Sequence, residues 1–363
     1  MRNLVSKAFL VTSATAGALY AGALRAEDAK LVQTNLVSDI TGLAAVTDTD
    51  LKNPWGVSHS SMSPFWVSNQ ATSTATLYKV TDETDVSKIA LTVAIPKFGS
   101  GPAQGPTGQV NNGNTECFPV SVSSGGDGGS AHFIFANLNG TISAWDKVGS
   151  PAFIQVTTHT TPATVYTGLA INGGQTRLYA ANTTSPGSID VYNCSFSPVN
   201  LGPDAFKDPS LPTGLVPFNA QDIGGDIYVT YAPAGLQNMR QAPLGAGAVA
   251  IFDEDGNFIE ELVAGSRLAA PWGITIAPPG FRRFSNDVLV GNFSFLHSEI
   301  NAFIPSNGKL HGTIPIDTGG HPPGGLWAIE FGVGGSNGSP DVLYFADGIN
   351  GEADGLFGAI TAH

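Results

Sequence analysis

Charged residues are scarce in this sequence: Asp, Glu, Lys and Arg make up 12% of its 363 residues, against about 25% in an average protein. So few charges cannot solvate long exposed helices, which argues against helical bundles and coiled coils. Apolar residues are an ordinary 42%, which is enough for a core and argues against disorder. Beyond the N-terminus there is no long apolar run, so we expect no stable membrane insertion. The 45 Gly and 24 Pro indicate a turn-rich, all-β protein.

The N-terminus has the pattern of a secretory signal. Arg2 and Lys7 precede a run of apolar and small residues that ends in two candidate cleavage sites, after Ala23 and after Ala26. An anchoring helix is the weaker interpretation, because the run is short and contains threonine and serine. The sequence therefore predicts a signal peptide over residues 1–26 and an exported protein, periplasmic or extracellular.

Basic residues are outnumbered by acidic ones. The chain has 16 Lys and Arg against 29 Asp and Glu, with a formal net charge of −13. Such an acidic protein repels polyanions, so nucleic acid is excluded as a partner.

Cysteine is nearly absent, with Cys117 and Cys194 as the two examples. Neither lies in a C-x-x-C motif or a Cys/His cluster, which argues against a zinc site. In an exported chain the two cysteines could form one disulfide, or they could be two buried thiols. Their spacing does not decide between these alternatives.

An internal repeat is the most informative pattern. Six units each contain short β-rich runs separated by Gly, Pro or Asn. Positions that we interpret as equivalent turns recur at intervals of 52, 60, 51, 54 and 52 residues; they are Gly56, Gly108, Gly168, Asn219, Gly273 and Gly325. A repeat of this length with three or four strands fits a propeller blade. Asp255-Gly256 and Asn307-Gly308 are typical of type I′ hairpin turns between the third and fourth strands.

The two ends of the chain complement each other. The sixth unit ends at Ile360 without an outermost strand, whereas the segment 30–36 precedes the first unit and has no partner. Pairing these ends would close the ring and remove exposed sheet edges. We therefore predict one domain over residues 27–363, a six-bladed β-propeller whose N-terminal strand completes the last blade.

A set of polar residues ends the second strand of each unit. An amide or carboxylate stands in five units and Tyr231 in the fourth; the five are Asn69, Asn137, Asn182, Asn292 and Asp347. Near one mouth of the channel, their oxygens could bind a hard cation such as Ca²⁺. The alternative is that each caps a turn of its own blade. No cofactor is otherwise evident, and catalytic residues are unknown.

Aromatic residues mark the first strands. Trp55, Trp272 and Trp327 occupy related positions, with Thr107, Thr167 and Phe218 in the other units. Aromatic faces at a channel mouth could bind a sugar or another flat ligand. Packing between blades as core is the alternative.

Several segments together carry a resemblance to a known family. They are Asn53-Pro54-Trp55-Gly56-Val57, Ser121 to Gly126, Phe133 to Ala136, Asn139 to Trp145 and Asn35 to Asp39. The chain resembles uncharacterised exported bacterial proteins predicted to be β-propellers, some of which end in a PEP-CTERM tail. This chain ends in Thr361-Ala362-His363 instead. More distantly, it is similar to NHL-type and lactonase-type six-bladed propellers. Such lactonases hold a divalent metal with Glu, Asn and Asp, and here no clear Glu counterpart is present.

Two function classes follow from the sequence. The first is an exported binding or scaffold propeller for a small molecule, a carbohydrate or a protein. The second is a divalent-metal-dependent hydrolase or lactonase that uses the mouth of the channel. The fold by itself implies no reaction, so the binding class is favoured.

Overall fold

A computed structural model describes residues 30–100, 104–147, 149, 151–157 and 164–363. The predicted signal peptide lies outside the described residues. The chain enters the fold through β1 (Leu31–Ser38) and β2 (Val46–Thr47). It then forms five consecutive four-stranded antiparallel sheets, blades 1 to 5, and returns to complete blade 6.

The strands follow the chain order within each blade. Blade 1 consists of β3 (Pro54–Ser58), β4 (Phe65–Asn69), β5 (Thr74–Thr81) and β6 (Asp85–Ala94). Blade 2 consists of β7 (Pro106–Asn111), β8 (Phe133–Asn137), β9 (Thr141–Trp145) and β10 (Phe153–Thr157). Blade 3 consists of β11 (Tyr166–Ile171), β12 (Arg177–Asn182), β13 (Ser188–Asn193) and β14 (Pro198–Val199).

The second half of the ring has the same plan. Blade 4 consists of β15 (Leu215–Ile223), β16 (Asp226–Pro233), β17 (Ala248–Phe252) and β18 (Phe258–Ala264). Blade 5 consists of β19 (Pro271–Ile276), β20 (Val288–Asn292), β21 (Glu299–Phe303) and β22 (Leu310–Pro315). Blade 6 contains β23 (Leu326–Phe331), β24 (Val342–Asp347) and β25 (Leu356–Ala362), followed by β1 and β2.

Ring closure occurs as predicted. Strand β1 pairs antiparallel with β25, from Leu31 opposite Ala362 to Ser38 opposite Leu356. The short strand β2 then adds parallel to β1, which the sequence did not suggest. The prediction of a closed six-bladed propeller is therefore confirmed.

The innermost strands β3, β7, β11, β15, β19 and β23 contact one another in sequence around the axis. The residues that we interpreted as turns lie inside these strands, with the exception of Gly325, which precedes β23. At the glycines among them, close packing requires the lack of a side chain: a Cβ on Gly56 would lie 2.5 Å from the Thr107 carbonyl oxygen of the next blade. In blade 6 the equivalent of Gly56 is Ala328, so the predicted register was wrong there.

The predicted hairpins are present, but their turns are of another type. Asp255-Gly256 and Asn307-Gly308 connect the third and fourth strands of blades 4 and 5. A type I′ turn needs positive φ at both central residues. Here only the glycines have it, with φ of 80° at Gly256 and 61° at Gly308.

Little helix is found in the described residues. The short elements are α1 (Leu236–Arg240), α2 (Ile349–Glu352) and the 3₁₀ turns Val122–Ser124 and Arg282–Phe284. None of the described helices has the length and apolar character needed to cross a membrane.

Cys117 and Cys194 form a disulfide that joins blades 2 and 3, which decides between the two alternatives for the cysteines.

Candidate functional site

One end of the channel, here called the mouth, is where first strands begin and second strands end. The antiparallel register requires this, since Pro54 lies opposite Asn69 and Pro271 opposite Asn292. The connections between second and third strands therefore also lie at the mouth.

A cluster of indole rings closes the channel at the mouth. Trp55 and Trp327 stack with ring centroids 3.4 Å apart, and Trp272 meets both edge-on at 6.3 and 5.7 Å. The three side chains are at most 3% exposed and belong to the largest hydrophobic cluster. The structure thus brings together the three predicted aromatic residues.

The three indole N–H groups differ in their partners. Trp272 Nε1 donates to the Thr167 carbonyl oxygen at 2.8 Å, and Trp327 Nε1 donates to Asn53 Oδ1 at 2.9 Å. Trp55 Nε1 is buried without a partner among the described residues. A buried N–H without an acceptor is costly, so this group is available to a ligand or a water molecule.

A cavity of about 930 Å³ opens above Trp55. It is lined by residues of blades 1, 2, 3, 4 and 6. At the positions of the tryptophans, blades 2 and 3 have the smaller residues Thr107 and Thr167. Trp55 and Thr167 lie in its wall, together with Leu138, Met239 and the polar side chain of Gln70.

An ion pair forms one side of this cavity. Arg240, at the end of α1, contacts Glu352 through Nη2 and through Nε at 2.8 Å. The Glu352 side chain is 7% exposed, and burial raises the pKa of this carboxyl while Arg240 opposes the rise. Asn53 Nδ2 donates to Gln70 Oε1 at 2.8 Å and to Glu352 Oε1 at 3.4 Å.

The backbone beside this ion pair is strained. Asn350, Gly351 and Glu352 have consecutive positive φ angles of 56°, 66° and 72°. For the two non-glycine residues such a conformation costs about 1–3 kcal/mol each, and this kind of strain concentrates at functional sites. Hydrogen bonds from Asn350 N–H to the Pro322 carbonyl and from Glu352 N–H to the Gly348 carbonyl, both 2.8 Å, hold the turn.

The predicted metal residues occupy equivalent places at the ends of second strands, and the three asparagines of blades 1 to 3 bond within their own blades. Asn69 Nδ2 donates to Thr76 Oγ1 at 2.9 Å, and Asn137 Nδ2 donates to Thr141 Oγ1 at 3.1 Å. Asn182 accepts the Thr184 N–H at 3.0 Å. In the described part of the chain, no hydrogen bond joins two members of the predicted set.

Asn292 and Asp347 differ sharply in their surroundings. Asn292 is satisfied by the Ala269 N–H and the Arg267 carbonyl. Asp347 is completely buried, both of its carboxylate oxygens have no partner among the described residues, and burial raises its pKa to about 7.

The directions of side chains along the strands explain why the predicted metal residues do not contact one another. Side chains alternate along a strand, so Asn69 shares a face with Phe65 and Val67. Phe65 contacts Tyr344 and Phe357 of blade 6, which places this face between blades. In the described part of the chain there is no group of three or more His, Cys, Asp or Glu that could hold a metal. The metal site stays a prediction.

The opposite end of the channel contains a smaller polar cavity of about 240 Å³. His59 and Glu330 pair there at 3.2 Å. Burial alone would lower the pKa of His59, but the carboxylate of Glu330 raises it to about 9. Gln109 Oε1 and Ser58 Oγ are buried in this wall without partners among the described residues.

Sequence reasoning missed Arg240 and Glu352. A signal for them was present in the lengths of the connections between second and third strands. Blades 4 and 6 have 14 and 8 residues there, against 4 in blade 1 and 3 in blade 2. Long insertions on one face of a repeat protein frequently form its binding surface.

Sequence comparisons identify viral relatives. Two uncharacterised proteins of Acanthamoeba polyphaga mimivirus are each 29% identical to this chain, over 292 and 293 residues. The matches cover 78% of this chain and 74% and 69% of the relatives. These relatives are viral rather than exported bacterial proteins, and no family model matches the chain.

Structure comparisons find other β-propellers. A structural genomics protein of unknown function from Bacteroides thetaiotaomicron aligns with a TM-score of 0.53 at 10% identity, over 92% of this chain and 77% of that one. A streptogramin B lyase aligns over 92% of this chain and 98% of its own, with a TM-score of 0.46 and 12% identity. The first likeness concerns the fold alone.

Proposed function

We propose that this protein is a ligand-binding propeller whose mouth cavity takes a small molecule with a flat or apolar body and a hydrogen-bond acceptor. The observation that carries the proposal concerns Trp55, which lines the cavity and whose buried N–H has no partner among the described residues. A ligand acceptor at this position would satisfy it. The neighbouring Trp272 and Trp327 satisfy theirs within the protein.

The size and lining of the cavity support a small molecule. Its volume of about 930 Å³ falls in the range of roughly 300–1,000 Å³ that is typical of such pockets. Leu138, Val165 and Met239 supply apolar contact, while Gln70 and Thr167 supply polar groups. A carbohydrate fits this chemistry because sugars present an apolar face and many acceptors.

The charges favour an uncharged ligand. Arg240 and Glu352 neutralise each other, so the wall offers no net charge to an ion. The acidic chain as a whole would repel an anion.

A screen of neutral sugars and aromatic fragments by saturation-transfer NMR tests the proposal. Trp55→Phe keeps a ring but removes the N–H, so it should weaken binding about five- to tenfold. Ala353→Trp, at an exposed position of the cavity wall, should block binding.

Matched controls locate the binding. Trp66→Phe changes a tryptophan that stacks on Phe133 in another cluster, and Val333→Trp changes an exposed residue outside the cavity. Hits that survive Ala353→Trp, or that both control variants also abolish, would contradict a site at the mouth.

A metal-dependent hydrolase is the second candidate function. It is favoured by buried oxygens without partners among the described residues on three predicted ligands: Asn69 Oδ1, Asn137 Oδ1 and both oxygens of Asp347. Elemental analysis of purified protein tests it. A stoichiometric divalent metal that Asp347→Ala removes would support the hydrolase, and a metal-free protein would leave binding ahead.

We further propose that the protein acts outside the cytoplasm, in the periplasm or the extracellular medium. The signal pattern supports this location. N-terminal sequencing of the mature protein should find a start after Ala23 or Ala26, whereas a mature chain that begins at Met1 would contradict export.

A further inference from the structure

Two carboxylates meet on the outer side of the ring with a hydroxyl between them. Ser210 Oγ lies 2.6 Å from Asp208 Oδ1, to which it donates, and 3.5 Å from Glu261 Oε2. Asp208 is 8% exposed, and its Oδ2 is buried without a partner among the described residues. Glu261 is half-buried and reaches solvent.

These residues come from different parts of the chain. Asp208 and Ser210 lie in the long connection between β14 and β15, and Glu261 lies on β18, the outermost strand of blade 4. Phe206 anchors the connection: its N–H donates to the Gly256 carbonyl at 2.8 Å, and its carbonyl accepts the Tyr231 hydroxyl at 3.3 Å. The fold therefore holds the acidic pair together.

At two other places in the described chain, a lysine lies between two carboxylates. Lys52 contacts Asp39 at 2.5 Å and Asp354 at 3.2 Å. Lys88 contacts Asp48 at 2.7 Å and Asp50 at 3.1 Å.

The pair of Asp208 and Glu261 has no such lysine or arginine among its described partners. The adjacent Lys207 pairs with the exposed carboxylate of Asp204 at 3.4 Å. Two close negative charges without a cation repel each other, so this pair needs either a proton or a metal ion.

We propose that Asp208 and Glu261 bind a calcium ion at this place. The donors are all oxygens, which hard cations prefer. Glu261 is open to solvent, so water molecules can supply the remaining ligands. Asp208 also lies in the wall of a cavity of about 890 Å³.

The number of charges sets the expected affinity. With two carboxylates rather than three or four, the site belongs at the weak end of protein calcium sites, at a Kd of about 10⁻⁴–10⁻³ M. The bound ion would hold the connection between blades 3 and 4 against β18. Calcium would therefore stabilise this part of the outer side of the ring. The proposed calcium site shares no residue with the mouth cavity.

The experiment uses the chain from residue 27 onward, freed of metal by a chelator. Addition of 10 mM CaCl₂ should raise its melting temperature by about 2–4 °C, beyond the effect of KCl at matched ionic strength. Equilibrium dialysis with ⁴⁵Ca²⁺ should detect the bound ion directly.

The matched variants are Glu261→Gln and Glu260→Gln, which remove one charge each from adjacent positions of β18. Glu261→Gln should melt no lower than the metal-free wild type, because it removes repulsion, yet lose the response to calcium. Glu260→Gln should retain that response. A Glu261→Gln variant that binds and responds to calcium like the wild type would overturn the proposal, as would the absence of a calcium effect in the wild type.

Discussion

Trp55 and Trp327 stack face to face with centroids 3.4 Å apart, yet among the described residues only the Trp327 N–H has a partner, Asn53 Oδ1. The stack therefore has two roles in one cluster. It packs as core, and it contains one buried donor on a residue that lines the mouth cavity.

Removal of β1 should open the ring. Strand β1 pairs with β25 and buries Leu36 and Val37 completely. Deleting residues 27–38 should therefore remove several kcal/mol of a stability of about 5–15 kcal/mol. Thermal melting and light scattering should show a much lower transition and aggregation, relative to a chain that begins at residue 27. An unchanged melting temperature in a monomeric deletion variant would show that the blade closes in another way.

The ion pair between Arg240 and Glu352 should stabilise the protein, because Arg240 compensates the buried charge of Glu352. Arg240→Met leaves this buried carboxylate without its cation, so the free energy of unfolding at pH 7.5 should fall by about 2–4 kcal/mol. Adding Glu352→Gln should restore most of the loss, since the uncompensated charge disappears. Urea denaturation of the two single variants and the double variant measures this. A loss below about 0.5 kcal/mol in Arg240→Met would mean that the pair is an ordinary surface contact.

The pairing of His59 and Glu330 should make stability depend on pH. The pKa of His59 in the folded protein, about 9, lies above the value of about 6.5 in an unfolded chain. The stabilisation is therefore complete below pH 6.5 and is lost as the pH rises to 9. Glu330→Gln should lower the pKa of His59, because burial then acts without the carboxylate, and should flatten this dependence. Histidine NMR titration measures the pKa, and an unchanged value in the variant would refute the coupling.

Asp347 should destabilise the protein at neutral and higher pH. Its folded pKa of about 7 exceeds the ordinary aspartate value of 3.8, so the protonated form stabilises the fold at low pH and this contribution is lost as the pH rises through 7. Asp347→Asn should match the wild type near pH 4 and exceed it by on the order of 4 kcal/mol at pH 8. Urea denaturation at the two pH values checks this. A variant less stable than the wild type at pH 8 would show that the carboxylate has a cationic partner there, as the hydrolase hypothesis requires.

Much of the fold could be predicted because repetition amplifies weak signals. Each run such as Phe65–Asn69 or Val342–Asp347 is short, but six copies at similar spacing indicate blades, and the unpaired segment at Leu31 indicates how they close. The register of blade 6 was wrong because Gly325 looks like the repeated glycine. The structural equivalent is Ala328, which follows Trp327 as Gly56 follows Trp55.

The site could be predicted only in part, since it depends on departures from the repeat. The equivalent tryptophans were visible in the pattern, and they do meet. Arg240 and Glu352 come from insertions that have no counterpart in the other blades, so periodicity could not align them. The lack of a partner for Trp55 depends on side-chain geometry, because the same residue type in Trp272 and Trp327 finds one.

The indole region of a ¹H–¹⁵N NMR spectrum tests the binding account most directly, because the chain has five tryptophans and each gives one N–H signal. Trp55→Phe assigns the signal of Trp55. Titration with a ligand from the screen should move this signal downfield as a hydrogen bond forms, and should leave Trp66 and Trp145, which belong to another cluster, unchanged. A ligand that binds while the Trp55 signal stays in place would contradict the account.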